Sequence, residues 1–118
     1  MARQVSKGRS VKVTVPSGFG SVEAGKFYEI SGIFGMAVDN AQEGEQVVLL
    51  IEQAEYETSQ IDATLTYNVG NKLYYDPGNK LLTTAADDGA GTSFRLVGIV
   101  TQEKDANGVI WFILGPQV

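Results

Sequence analysis

The sequence predicts a mainly all-β fold: a small β-barrel or sandwich with an extended N-terminal arm and at most one short helix. Three observations lead there. Short stretches in which apolar and polar residues alternate, or apolar residues run together, recur along the 118 residues. Turn-forming groups such as Asp76-Pro77-Gly78-Asn79 and Asp105-Ala106-Asn107-Gly108 punctuate them. No segment sustains the period of about 3.6 residues that a long amphipathic helix requires.

Taken in order, residues 1–10 (MARQVSKGRS) are polar, basic and aperiodic, and read as an arm reaching on the order of 30–35 Å if fully stretched. Val11, Val13 and Val15 then alternate with Lys12 and Thr14, a half-buried strand stopped by Pro16 and the turn Ser17-Gly18-Phe19-Gly20. Lys26–Ile30 is a second strand, broken by Ser31-Gly32. Ile33–Val38 is a third, and its internal Gly35 marks a bulge, a bend or the close approach of another backbone. Asp39–Gly44 supplies turn chemistry before the apolar run Val47–Ile51. Glu52, Glu55 and Glu57 follow, either extending that strand or forming an edge. Residues 58–68 read as one short helix or a turn, with Thr58 or Ser59 as cap and Ile61 and Leu65 four apart. Lys72–Tyr75 and Lys80–Thr84 form a hairpin around Asp76–Asn79, with Pro and Gly placed for a type II turn. Phe94–Val100 and Val109–Leu114 are the last two strands, joined by an Asn107-Gly108 hairpin signal. The expected organisation is a basic arm over 1–10 and a single β domain over 11–118.

Composition narrows the function. Hydrophobic residues make up 43% and charged residues 19%, which places the chain among globular rather than disordered proteins. No apolar run approaches the length of a membrane span, and no apolar stretch follows the basic N-terminus as a secretory signal would require. Cys and His are both absent. That removes disulfides, thiolate nucleophiles, the usual general base near neutral pH and the commonest soft metal ligands. The expectation is a protein that is no enzyme and carries no cofactor or metal.

Charge is the most informative feature. Arg3, Lys7, Arg9 and Lys12 all precede the first carboxylate, Glu23. Residues 1–12 therefore carry +4, while residues 13–118 hold five basic against fourteen acidic side chains, a balance of −9. A basic arm on an acidic body implies a chain that lies on another macromolecule. Nucleic acid is a poor partner, because four charges are few and the body repels phosphate; an acidic protein surface fits better.

Other constellations carry less. Seven carboxylates lie between Asp39 and Asp62 (Asp39, Glu43, Glu45, Glu52, Glu55, Glu57, Asp62), with Asp76 just beyond. They read first as a solvated face or protected sheet edge, and secondarily as a divalent-cation site or a surface complementary to a basic arm. The glycines at 18, 20, 32 and 35 lack the lysine and hydroxyl of a phosphate loop and read as turn and bulge positions. Tyr74, Tyr75, Phe94, Trp111 and Phe112 lie on strands and read mostly as core, with a sugar or peptide platform as the lesser option.

The order of motifs is itself recognisable. Val22-Glu23-Ala24-Gly25-Lys26, Gly32-Ile33-Phe34-Gly35-Met36-Ala37 and Ala41-Gln42-Glu43-Gly44-Glu45 come first. Val69-Gly70-Asn71-Lys72-Leu73-Tyr74-Tyr75-Asp76 with Leu82-Thr83-Thr84, and then Leu96-Val97-Gly98-Ile99-Val100, complete the series. This succession resembles the capsid cement, or head decoration, proteins of tailed bacteriophages over about residues 11–114. Tyr75 stands where the family usually has Trp, and insertions around 52–66 and 103–108 depart from its pattern. The resemblance implies a small β-barrel that binds the outside of a phage head and stabilises the expanded shell. It implies the major capsid protein as partner, a homo-trimer, and a place on the virion exterior after synthesis in the host cytoplasm. Arg3, Val5, Lys7, Arg9, Val11 and Lys12 are the expected docking residues, the cations by charge and the valines by apolar or strand-pairing contact. The competing readings are a small barrel that binds nucleic acid or glycan, and a carboxylate-based hydrolase.

Overall fold

A computed structural model describes residues 2–3 and 8–117. The chain divides into two compact units, Met1–Glu52 and Gln53–Val118, each built on one antiparallel sheet. The first unit holds β1 (Ser10–Thr14), β2 (Phe27–Ile30), β3 (Ile33–Ala37) and β4 (Gln46–Leu50), in the order β1-β4-β3-β2. The second holds β5 (Glu55–Thr58), β6 (Lys72–Asp76), β7 (Leu81–Thr83), β8 (Arg95–Gln102) and β9 (Ile110–Leu114), in the order β5-β9-β8-β6-β7. The all-β class is as the alternation required. Among the described residues there is no helix, and neither sheet closes on itself into a barrel.

In the first unit, Val13, Val47, Leu49, Ala37, Tyr28 and Ile30 form one buried cluster with Val15, Val22 and Ala41, and Val11, Phe19, Ile33 and Ile51 pack against it. Pleating places these on one face because the paired positions Val13↔Val47 and Ala37↔Leu49 point the same way. Strand β2 is buried on its second face too, where the rings of Phe27 and Phe34 stack with centroids 5.8 Å apart. Ser31 and Gly32 both have positive φ (54° and 82°), so β2 and β3 join through a two-residue turn whose twist matches the strands. Gly35 proves to be a close-approach position: a Cβ there would lie 2.6 Å from the Leu50 carbonyl oxygen.

The second unit buries Tyr75, Leu73, Val100, Phe112, Leu114, Ile110 and Leu82. Both hairpins foreseen from the turn residues are present, β6–β7 and β8–β9. The first differs in detail. A type II turn needs positive φ at Gly78, but the left-handed residue is Lys80 (φ 54°). The cause is Asp76, whose Oδ1 accepts from the Gly78 and Asn79 amides at 3.0 and 3.2 Å and whose Oδ2 accepts from the Asn79 side chain at 2.8 Å. The carboxylate caps a longer loop that Pro77 alone does not dictate. Glu55–Thr58 extends no earlier strand; it is a separate edge strand paired with β9.

The stretch 58–68 takes the turn option. Ile61 makes an isolated bridge to Leu82, and the Tyr67 ring, 1% exposed, plugs the segment into the sheet. Its hydroxyl accepts from the Asp62 amide at 3.1 Å and donates to the Leu82 carbonyl at 2.9 Å. Burial pushes the Tyr67 hydroxyl up to about 12. Because the folded value lies above the ordinary 10, this contribution to stability is complete below pH 10 and is lost as pH rises through about 12.

Two measurements check these assignments. Tyr67→Phe removes the hydroxyl's bonds to the Asp62 amide and the Leu82 carbonyl and leaves those two groups only their longer 3.4 Å bond to each other, so chemical denaturation at neutral pH is expected to show a loss of about 1–2 kcal/mol. The wild type should also lose more stability than this variant between pH 10 and about 12. At Gly98, which pairs with Leu114, a Cβ would lie 2.2 Å from the Ile113 carbonyl oxygen, a backbone atom of the neighbouring strand. Gly98→Ala must therefore pry β8 from β9, and thermal unfolding should register a cost of about 1–3 kcal/mol or a failure to fold.

Candidate functional site

Of the expected docking residues, Val11 and Lys12 lie on β1, the edge strand of the first sheet, and Arg9 immediately precedes it. Arg3 and Arg9 are exposed, and Lys12 is exposed on β1. Val5 and Lys7 lie outside the described residues. Val11 is half-buried, opposite Leu49, and packs against the core cluster, so its side chain faces inward while its neighbour Lys12 faces out.

Strand β1 has β4 on one side and no strand on the other among the described residues. The direction of its main-chain groups follows from the flanking hydrogen bonds. The Ile51 amide donates to the Arg9 carbonyl at 2.8 Å, and the Val15 amide donates to the Glu45 carbonyl at 2.9 Å. Odd-numbered residues thus bond to β4, which turns the amides and carbonyls of Ser10, Lys12 and Thr14 to the open side. Among the described residues this edge offers unpaired main-chain groups with a lysine and two hydroxyls, and the basic residues of the arm precede it in sequence. Such an edge accepts an added strand, with the arm's cations supplying long-range attraction and register.

The carboxylates, by contrast, are dispersed. Glu43 reaches back across 25 residues of sequence to the Ser17–Gly20 turn, where its Oε1 accepts from the Gly18 amide at 2.9 Å and its Oε2 from the Gly20 amide at 3.0 Å. Those two amide donors hold the Glu43 carboxyl below the usual carboxylate range. The glycine turn that loosely evokes phosphate binding is therefore filled by a carboxylate of the same chain. Glu45 accepts from the Gln42 amide at 2.7 Å, and Asp62 accepts from the Thr64 amide at 3.0 Å and its hydroxyl at 2.6 Å. The Thr64 donors hold Asp62 low as well. Asp88 receives the amides of Ala90 and Thr92 at 2.7 and 3.0 Å, which holds its carboxyl low, and Asp105 those of Asn107 and Val109 at 2.8 and 3.0 Å. No group of three or more acidic side chains among the described residues comes together in a way that would hold a metal ion.

Of the aromatic set, Tyr75 and Phe112 are buried, Tyr74 and Phe94 half-buried, and Trp111 exposed. The alternation of β9 sets this outcome: Ile110, Phe112 and Leu114 point inward, so Trp111 and Ile113 point out. Sequence reasoning missed the Glu43 tie and the outward main-chain groups of β1. The first joins residues distant in sequence, and the second depends on knowing which side of β1 is paired.

Glu43 also yields a test. Its folded value is depressed, so its contribution is present above the ordinary carboxylate value and is lost as pH falls through the lower, folded one. Protection of the Gly18 and Gly20 amides, taken relative to intrinsic exchange at the same pH, should fall on acidification only below the usual carboxylate range. In Glu43→Gln the same two amides should already exchange fast at neutral pH, with the core strands unaffected.

A search of curated proteins gives no match. The family model described as phage cement protein matches residues 5–115. That match covers nearly the whole chain, from within the arm through the last strand of the second sheet, so the chain belongs to the phage cement protein family.

Proposed function

We propose that this chain binds the outer surface of an assembled phage capsid and stabilises the expanded shell, acting as a structural component without catalytic activity. Family membership gives the phage-capsid role and the virion as the place of action. The observation that carries the finer reading is the open β1 edge, which bears Lys12 and is preceded by an arm that holds three more of the chain's nine basic residues. Arg3, Lys7, Arg9 and Lys12 dock on acidic groups of the major capsid protein. Val5 contributes an apolar contact, and Val11 anchors the edge to the core from behind. Main-chain hydrogen bonds from Ser10, Lys12 and Thr14 complete a strand added by the capsid subunit.

Many copies on a repeating lattice reinforce one another, so each individual contact need only be weak. The assembly we favour on the shell is a trimer, made in the host cytoplasm and captured by completed heads. The acidic body, −9 outside the first twelve residues, disfavours nucleic acid as the target.

Deleting residues 2–9 tests the reading. Occupancy on expanded heads at sub-saturating protein should fall by about tenfold or more, the equivalent of about 1.4 kcal/mol, while circular dichroism and thermal unfolding of the isolated protein stay unchanged. Raised ionic strength should weaken the full-length protein more than the deletion variant, because exposed charges are screened. Undiminished occupancy after the deletion contradicts the arm assignment.

A further inference from the structure

The outward face of the second sheet carries a pattern that the capsid reading does not use. Register across four neighbouring strands sets Glu55 opposite Ile113, Ile113 opposite Ile99, and Ile99 opposite Lys72. The result is one straight row running acid, apolar, apolar, base over three strand spacings, about 14 Å. Ile113 and Ile99 are 46% and 41% exposed, and on either side of the row Trp111 and Leu96 are 38% and 50% exposed. Together these place four large apolar side chains on one exposed face.

The two charged ends are ready for partners. Lys72 is exposed and makes no ion pair among the described residues. Glu55 is held on the outer face by the Thr101 hydroxyl, which donates to its Oε2 at 2.6 Å; its other oxygen has no partner among the described residues. The row is complementary to itself. A copy facing it across a two-fold axis that runs parallel to the strands, above the boundary between β8 and β9, has the order reversed. Lys72 of the second copy then stands over Glu55, Glu55 of the second copy over Lys72, and the four isoleucines meet in the middle. Such isologous, face-to-face stacking is the ordinary way in which two sheets bury apolar faces. The apolar hollow lined by Leu96, Gly98, Gly115 and Pro116 beside the row lies where the second copy's Leu96 would arrive.

We infer that this face is a two-fold contact between copies of the chain, with Ile99 and Ile113 at its centre and a reciprocal Glu55–Lys72 pair at each end. A second copy is the occupant argued for because its row supplies the complement at every position. The contact doubles whatever the chain otherwise forms: two for a monomer, six for a trimer. It is independent of β1 and of any capsid.

Charge exchange tests it with purified protein alone. Glu55→Lys and Lys72→Glu each leave two like charges facing, so light scattering should show both single variants at half the wild-type mass. An equimolar mixture of the two should recover the wild-type mass, because each end then holds opposite charges again. The double variant Glu55→Lys/Lys72→Glu should recover it within one chain. Circular dichroism confirms that the variants are folded, as expected for exposed positions. A wild type that never doubles with concentration overturns the inference, as do single variants of unchanged mass or a mixture that stays at half mass. All three results leave the capsid reading untouched, which is judged on heads.

Discussion

Strand register is the constraint on which the rest of this protein depends. Side chains alternate across a pleated sheet, so one choice of pairing decides the buried set and the outward set together. In the first unit the pairing Val13↔Val47 puts Val11, Val13 and Leu49 inside, and the same choice puts Lys12 outside on an edge that pairs with no further strand among the described residues. In the second, Val100↔Phe112 buries an aromatic core and simultaneously lines up Glu55, Ile113, Ile99 and Lys72 on the surface. Gly35 and Gly98 hold these registers. Each faces a carbonyl oxygen of the adjoining strand at a distance no Cβ tolerates, so shifting either strand by one residue drives a side chain into backbone.

The acidic character of the body has a structural origin that also serves its role. Glu43, Asp62, Asp76, Asp88 and Asp105 each accept backbone amides in a turn, tying loops that the absence of Cys leaves without covalent staples. These carboxylates sit at exposed or half-buried positions, where they add negative charge to the surface while ordering the connections between strands. The basic arm has no such duty among the described residues. Residues 13–118 thus carry the net negative charge, a balance of −9, while four of the nine cations lie within the first twelve residues, a distribution that fits the proposed docking of that end on an acidic surface.

Much of this was legible beforehand, for reasons that can be named. Val11, Val13 and Val15 alternate cleanly, and Asn107-Gly108 places a residue with positive φ (Gly108, 75°) where a tight connection between β8 and β9 needs it. The Asp76–Asn79 hairpin was readable as a hairpin but not as a turn type, since the Asp76 carboxylate overrides the preference of Pro77-Gly78. The stretch 58–68 was ambiguous because Ile61 and Leu65 fit a helical spacing, while the buried Tyr67 hydroxyl and the Ile61–Leu82 bridge decide it through residues beyond the segment. The Glu43 tie and the Glu55–Lys72 row were out of reach. One joins a turn to a side chain 25 residues away, and the other exists only once four strands have been placed in order.

We hold that the β1 edge, with its arm, is what the protein lays against a phage head. Hydrogen exchange read by mass spectrometry on the segment spanning residues 8–15, free in solution and bound to expanded heads, tests it most directly. On binding, this segment should gain protection equal to its three outward amides, those of Ser10, Lys12 and Thr14, while the segment around β9 exchanges as before. Protein that binds heads with residues 8–15 exchanging as fast as in solution, or that does not bind heads at all, would contradict it.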